Sequence, residues 1–331
     1  MKLKICGGVG EHGRNCFEII TDQMSFLVDC GKGKDDMPDL KKKEIRKLSY
    51  VFLTHSHGDH TGALDWLIDK GFEGTIYGSE ETVRQWKHTY EKVIPLETEC
   101  PSFVRWQRAG HCAGAVSYIF TIGGKKIVFT GDYCEESSIY VCDPLRNEDA
   151  DLAVVDCAYG DHIFNREENL KKISDAVSPG KRILFPVPKY GRGLDLIDYL
   201  SGKKVEIYAD DLLLSQIENM DSKWYRKKIK AEIHPFDEVP EQGLLFVTDP
   251  QVRKDKTRKL ADKCDQIILT GHVYPDTYSD RLLKKGNAVL IPYPVHMNRK
   301  QAEALIKKNH FRKTILYHSE EIRAEENPIE F

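Results

Sequence analysis

The stretch THSHGDHTG, positions 54–62, constrains this chain more than any other feature. It puts His55, His57, Asp59 and His60 into six positions. Residues 50–53 (YVFL) before it form a continuous apolar run, which predicts a buried strand. Residues 63–69 (ALDWLID) after it read as a helix, with Gly71 placed to cap it. The fold must therefore deliver four side chains from a loop between a buried strand and a helix. Such a loop has a rigid frame yet stays open to a substrate. Imidazole and carboxylate at this density suit zinc and related first-row metals. The spacing H-x-H-x-D-H lets one loop aim its ligands into two pockets. One loop cannot complete two metals, so further ligands must come from downstream. The candidates are His111 in AGHCAG, before the strand-like residues 116–120, and Asp132 at the end of KIVFTGD. Asp29, ending LVD, closes a strand in the same way.

The rest of the chain supplies a frame of alternating elements. Residues 2–6, 16–20 and 25–29 read as strands and 41–47 as a short charged helix. Beyond residue 159, strand-like runs at 182–187, 204–208, 244–248, 266–270 and 288–291 alternate with helix-like runs at 193–200, 212–220 and 277–285. That rhythm predicts β-α units and a parallel sheet. A helix at 299–308 and a strand at 314–317 close the chain. Gly8, Gly10 and Gly13 spell G-x-G-x-x-G, but the residues that follow (NCFEII) are β-rich. A dinucleotide fingerprint needs a helix there.

With 331 residues the chain is long enough for two domains. Its net charge of −3 does not mark a nucleic-acid binder as a whole. Basic residues cluster locally instead, five within 223–230 and six within 253–263. Each run reads as a solvated helix face or a phosphate-contacting surface. Nine cysteines with no C-x-x-C pair fit neither a disulfide framework nor a cysteine zinc site, and suit a reducing compartment. No signal-peptide core and no membrane-length apolar run are present, so a cytoplasmic location is expected.

The order VDCG, THSHGDHTG, GHCAG, FTGD resembles the metallo-β-lactamase superfamily. GGVGEHGRNC near the start resembles the opening of its RNase J-like members. VVDCAYGD with REENLKKI, GKRILFPVPKYGRGLDLIDYL, ILTGHVYPDTYSDRLL and PVHMNRKQAEALIKKNHFRKTILYHSE resemble, in that order, the β-CASP branch of nucleic-acid hydrolases. The resemblance covers nearly the whole chain. It implies an α/β fold: an αββα sandwich from residues 1–158 and 292–331, and an inserted α/β β-CASP cap from 159–291, with the active site in the cleft between them.

Residue by residue, the resemblance implies that His55, His57 and His111 hold one zinc ion. Asp59, His60 and His318 hold a second, and Asp132 bridges the two. Asp29 stands behind the histidine loop and orients it. His296, 22 positions before His318, is the general acid, and Asp156 orients it and keeps it protonated. His272 is its rival as proton donor. The implied function is a zinc-dependent ribonuclease, with endonuclease cleavage leaving a 3′ hydroxyl. RNA is the substrate, and self-association or a larger RNA-processing complex supplies the further partners. Phosphodiester hydrolysis suits such a site. Two metals create a nucleophile at neutral pH and neutralise phosphate charge, and a positioned acid protonates the poor leaving oxygen. A small-molecule metallo-hydrolase (lactonase, thioesterase or phosphodiesterase) would use the same metals without needing the cap or the Asp156–His296 pair.

Overall fold

Residues 48–52, LSYVF, explain the first sheet in miniature. Val51 points to one buried face, and Tyr50 and Phe52 point to the other. The computed structural model describes residues 1–34, 36–220 and 222–331. They divide into two units. The first is Met1–Glu136, Val141–Ile163 and His296–Phe331, and the second is Ser137–Tyr140 and Phe164–Val295.

In the first unit, one sheet contains β1 (Lys2–Gly7), β2 (Cys16–Ile20), β3 (Ser25–Val28), β4 (Leu48–Phe52), β5 (Thr75–Gly78), β6 (Val93–Pro95) and β17 (Ile329–Glu330). Its order is β17-β1-β2-β3-β4-β5-β6. It is antiparallel as far as β3 and parallel from β3 to β6. The second sheet contains β7 (Val104–Arg108), β8 (Val116–Ile122), β9 (Lys125–Phe129), β10 (Asp149–Asp156) and β16 (His310–Tyr317). Its order is β16-β10-β9-β8-β7, and β10 runs parallel to β16 from Asp149↔His310 to Asp156↔Tyr317.

An aromatic layer joins the two sheets. Phe26 and Phe52 from the first meet Phe120 at centroid distances of 5.0 and 5.1 Å, and Phe17 meets Phe129 at 5.8 Å. The outer face of the first sheet buries Leu27, Val51 and Ile76 against Ile45, Leu64 and Leu67 of the helices Lys42–Ile45 and Leu64–Asp69. The helix Arg299–Lys307 packs by β16 and buries Ala302 and Leu305. The layers of this unit are thus helix, sheet, sheet, helix.

The second unit holds the parallel sheet that the alternating pattern predicts, in order β12-β13-β11-β14-β15. Its strands are β11 (Arg182–Pro186), β12 (Ile207–Ala209), β13 (Gly243–Val247), β14 (Gln266–Leu269) and β15 (Val289–Leu290). Leu184, Leu245, Ile267 and Leu269 form one core with Leu260 and Leu282 from the helices Asp255–Ala261 and Tyr278–Lys284.

The units divide at 163/164 and 295/296, a few residues later than the sequence suggests at each junction. Backbone pairing gives the reason. Tyr159 N–H donates to the Met297 carbonyl and Arg299 N–H to the Gly160 carbonyl, so residues 159–161 stay with the first unit. Pro292 and Tyr293 stay with the second, where Asn169 Nδ2 donates to Pro292 O and Tyr293 N–H to Thr270 O. Ser137–Tyr140 joins the second unit because the Asp195 carboxylate accepts from Ser137 Oγ and from Ser138 N–H and Oγ.

Gly13 leads into β2, not into a helix, which rules out the dinucleotide turn. Residues 223–230 are irregular rather than helical. Trp224 is buried and Tyr225 pairs with Tyr140, and these contacts outweigh helical periodicity. The other basic run does form the helix Asp255–Ala261. No helix among the described residues is long and apolar enough to cross a membrane.

Candidate metal centre

The histidine loop is held from behind. Asp29 directly follows β3 with a left-handed φ of 61°. Its Oδ1 accepts from Thr54 N–H at 2.7 Å, and its Oδ2 accepts from Thr54 Oγ1 and His60 Nδ1, both at 2.8 Å. That bond fixes the His60 tautomer and leaves Nε2 as the lone-pair nitrogen. The turn after Asp29 clamps the loop through its backbone. Cys30 N–H donates to His60 O at 2.8 Å and Lys32 N–H to Gly58 O at 3.1 Å. Gly31 is required between them, since a Cβ there would lie 1.6 Å from Asp59 O. Gly131, before Asp132, has φ 58°, and a Cβ there would lie 2.7 Å from Val116 O. Asp132 thus leaves β9 through a turn that only glycine accepts without strain.

Asp132 sits at the centre. Its Oδ2 lies 3.4 Å from His55 Nε2 and 3.6 Å from His111 Nε2, and His57 Nδ1 is 3.2 Å from His111 Nε2. Its Oδ1 lies 3.3 Å from His60 Nε2 and 3.2 Å from His318 Nδ1. On that side Asp59 Oδ2 lies 3.0 Å from His318 Nε2. The two carboxylate oxygens therefore face two different sets of histidines. Donor atoms gather within 4.8 Å of one another in three groups: His55, His57, His111 and Asp132; Asp59, His60 and His318; and Asp132, Asp156, His296 and His318. His55 Nε2 and His318 Nδ1 are buried and have no hydrogen-bond partner among the described residues. Buried, unpartnered imidazole nitrogens facing a carboxylate fit a cation.

Carboxylates and imidazoles at the site set one another's charge. Burial alone would raise the Asp132 pKa, but His60, His318, His296 and His55 hold it well below the ordinary carboxylate range. Burial opposes charging His60, yet Asp132, Asp29 and Asp59 hold its pKa well above the usual value. Burial dominates at His55 and pushes its pKa well down, toward the neutral imidazole that ligation needs.

Asp156 ends β10. Its Oδ2 accepts from Tyr133 N–H at 3.1 Å and Met297 N–H at 3.3 Å, and lies 3.4 Å from His296 Nδ1. Burial works against its charge, but His296 and His318 bring its pKa down to about 2. His296 Nδ1 is also 3.7 Å from Asp132 Oδ2. Every site residue expected from sequence therefore gathers in one place. His272 lies in the second unit, with its ring 4.7 Å from that of Tyr274. Sequence reasoning missed Thr54, which links Asp29 to the loop, and Asn15 and His12. The signal for the last two is the glycine-rich start, residues 7–15.

The metallo-beta-lactamase superfamily model matches residues 9–187, more than half of the chain. The chain belongs to that superfamily. Metallo-beta-lactamase membership and the His/Asp clusters together indicate divalent metal use. Among curated relatives, the RNase J-like protein of Methanocaldococcus jannaschii is 25% identical over 88% of this chain and 82% of its own length. Cleavage and polyadenylation specificity factor 73 of Drosophila melanogaster is 25% identical over 60% of this chain, and transcription termination factor FttA of Methanothermobacter thermautotrophicus is 27% identical over 64%. The matches span only 35% and 42% of those two proteins. These relatives belong to the β-CASP branch that the sequence resembles. A solved structure of a protein of unknown function from Enterococcus faecalis V583 has the same fold. Its TM-score is 0.62 at 13% identity, covering 99% of this chain and 96% of that one.

Proposed function

We propose that the protein is a zinc-dependent ribonuclease that cleaves RNA internally and leaves a 3′ hydroxyl. The observation that carries this reading is the division of Asp132, one carboxylate oxygen toward His55 and His111 and the other toward His60 and His318. In this reading His55, His57, His111 and Asp132 hold one ion, and Asp59, His60, His318 and Asp132 hold a second. Bound zinc supplies a hydrolytic nucleophile near neutral pH and neutralises non-bridging phosphate charge. Asp29 keeps His60 in the tautomer that presents Nε2. His296 donates the proton to the departing oxygen, and Asp156 aims its ring through the 3.4 Å contact. The relatives named for RNA processing support RNA as substrate and a larger complex as setting. Nine free cysteines support a reducing, cytoplasmic compartment.

The test is incubation of the purified protein with end-labelled RNA and DNA, with and without chelator. Internal cleavage of RNA that chelator abolishes and zinc restores is expected. Inert RNA alongside turnover of small esters would replace this reading with the small-molecule hydrolase.

A further inference from the structure

The glycine-rich loop 8–15 touches all three residues of one donor group. Asn15 N–H donates to Asp59 O at 2.8 Å. Asn15 Nδ2 lies 2.8 Å from His60 Nε2. Gly8 O accepts from His318 N–H at 2.6 Å, and His12 Nδ1 lies 3.1 Å from His318 O. The His12 ring stacks on the His318 ring at 4.8 Å and 14°. Tyr317 is nearly coplanar with His318, at 5.6 Å and 7°. His318 needs this grip, because its φ of 78° is unfavourable for a side-chain-bearing residue. The loop itself is braced. Glu11 accepts from Gly8 N–H at 3.1 Å and pairs with Arg14 at 2.8 Å. Asn15 is fully buried, and a Cβ on Gly8 would lie 2.5 Å from its Oδ1. That oxygen has no hydrogen-bond partner among the described residues. A half-turn of the amide would present it to a cation at His60.

We infer that loop 8–15 is the cradle of the Asp59–His60–His318 ion, with His12 a positioning residue that holds the His318 ring. The inference rests on the two-ion reading above. The contacts named here fall on Asp59, His60 or His318. The His55–His57–His111 group has contacts among its own residues, with Asp132, and from Thr54 Oγ1 to His55 Nδ1 at 3.1 Å. Groups behind metal ligands commonly set affinity by about 10–100-fold.

The experiment is stepwise zinc titration of chelator-stripped protein against a chromophoric competitor, giving one dissociation constant per ion. His12→Ala is expected to weaken one of the two constants about tenfold and leave the other unchanged. His12→Phe, which keeps a stacking ring, is expected to stay near wild type. Glu11→Gln, which loosens the loop without altering a ligand, should weaken the same constant as His12→Ala. Equal weakening of both constants, no weakening, or a His12→Phe loss as large as that of His12→Ala overturns the inference. Wild-type protein that binds fewer than two ions overturns the two-ion reading itself, which separates the two failures.

Discussion

Replacing His296 with alanine tests the assignment of the proton donor against a specific structural alternative. The side chain is 9% exposed, with Nδ1 at 3.4 Å from Asp156 and 3.7 Å from Asp132. Its ring also packs 4.6 Å from that of His111 and 5.2 Å from that of His318. These distances allow two roles. His296 is a general acid, or it joins Asp132, Asp156 and His318 as an ion ligand. The acid role predicts a loss of about 10²–10⁴-fold in RNA cleavage, or roughly 3–5 kcal/mol of barrier. It also predicts unchanged zinc content, because the two proposed ligand sets are complete without this residue. A nitrophenyl phosphodiester, whose leaving group needs no proton, should lose far less. The assay is steady-state turnover of both substrates by one preparation, with zinc measured by elemental analysis. Equal losses on both substrates would assign His296 to positioning. Loss of an ion would make it a ligand. A silent His296→Ala beside a leaving-group-dependent loss in His272→Ala would place the acid on the other histidine.

Other outcomes follow from the same geometry. Asp132→Ala should release both ions, whereas His318→Ala should weaken one, as read by elemental analysis after dialysis. Neutralising the exposed Lys256, Lys259 and Lys263 should flatten the log–log salt dependence of RNA binding by up to about 2 units. Neutralising Arg226 and Lys227 should do less, since Arg226 Nε already donates to Tyr140 O and Lys227 pairs with Asp198; equal effects in filter binding would contradict this. Burial raises the Glu18 pKa, with Lys4 opposing it. Its contribution to stability is therefore present at acid pH and lost as pH rises through the folded-state value. Glu18→Gln should accordingly gain stability relative to wild type between acid and neutral pH, and an unchanged gap across denaturant titrations would refute that. Phe52→Ala should cost about 3–5 kcal/mol, because its ring bridges the two sheets; a loss under 1 kcal/mol would show that the layer closes around the gap.

The ligand set was legible because it is local in chemistry even where it is distant in sequence. His55 to His60 share one loop, and Asp29, Asp132 and Asp156 each end or directly follow an apolar strand whose period the sequence displays. The parallel sheet of the second unit was legible for the same reason. Less legible were features set by tertiary contact. Residues 223–230 carry helix-compatible charge, yet Trp224 and Tyr225 take up packing and pairing partners that no periodicity announces. Ser137–Tyr140 belongs with residues beyond 163 only because Asp195 reaches its backbone and hydroxyls. His12 carries no local signal, because its partner His318 lies 306 positions away.

The pairing of β10 with β16 has a consequence for how the chain comes into being. Asp149 pairs with His310, so two adjacent strands are separated by 161 positions, with Phe164–Val295 of the second unit made between them. A nascent chain presents His55, His57, His111 and Asp132 early and His318 only near its end. At about 5–20 residues per second, the interval between Asp132 and His318 is roughly 9–37 seconds of synthesis. In the two-ion reading, a growing chain carries one complete donor group for that time and lacks a member of the other. The second donor group closes only when β16 docks beside β10 and brings in His318.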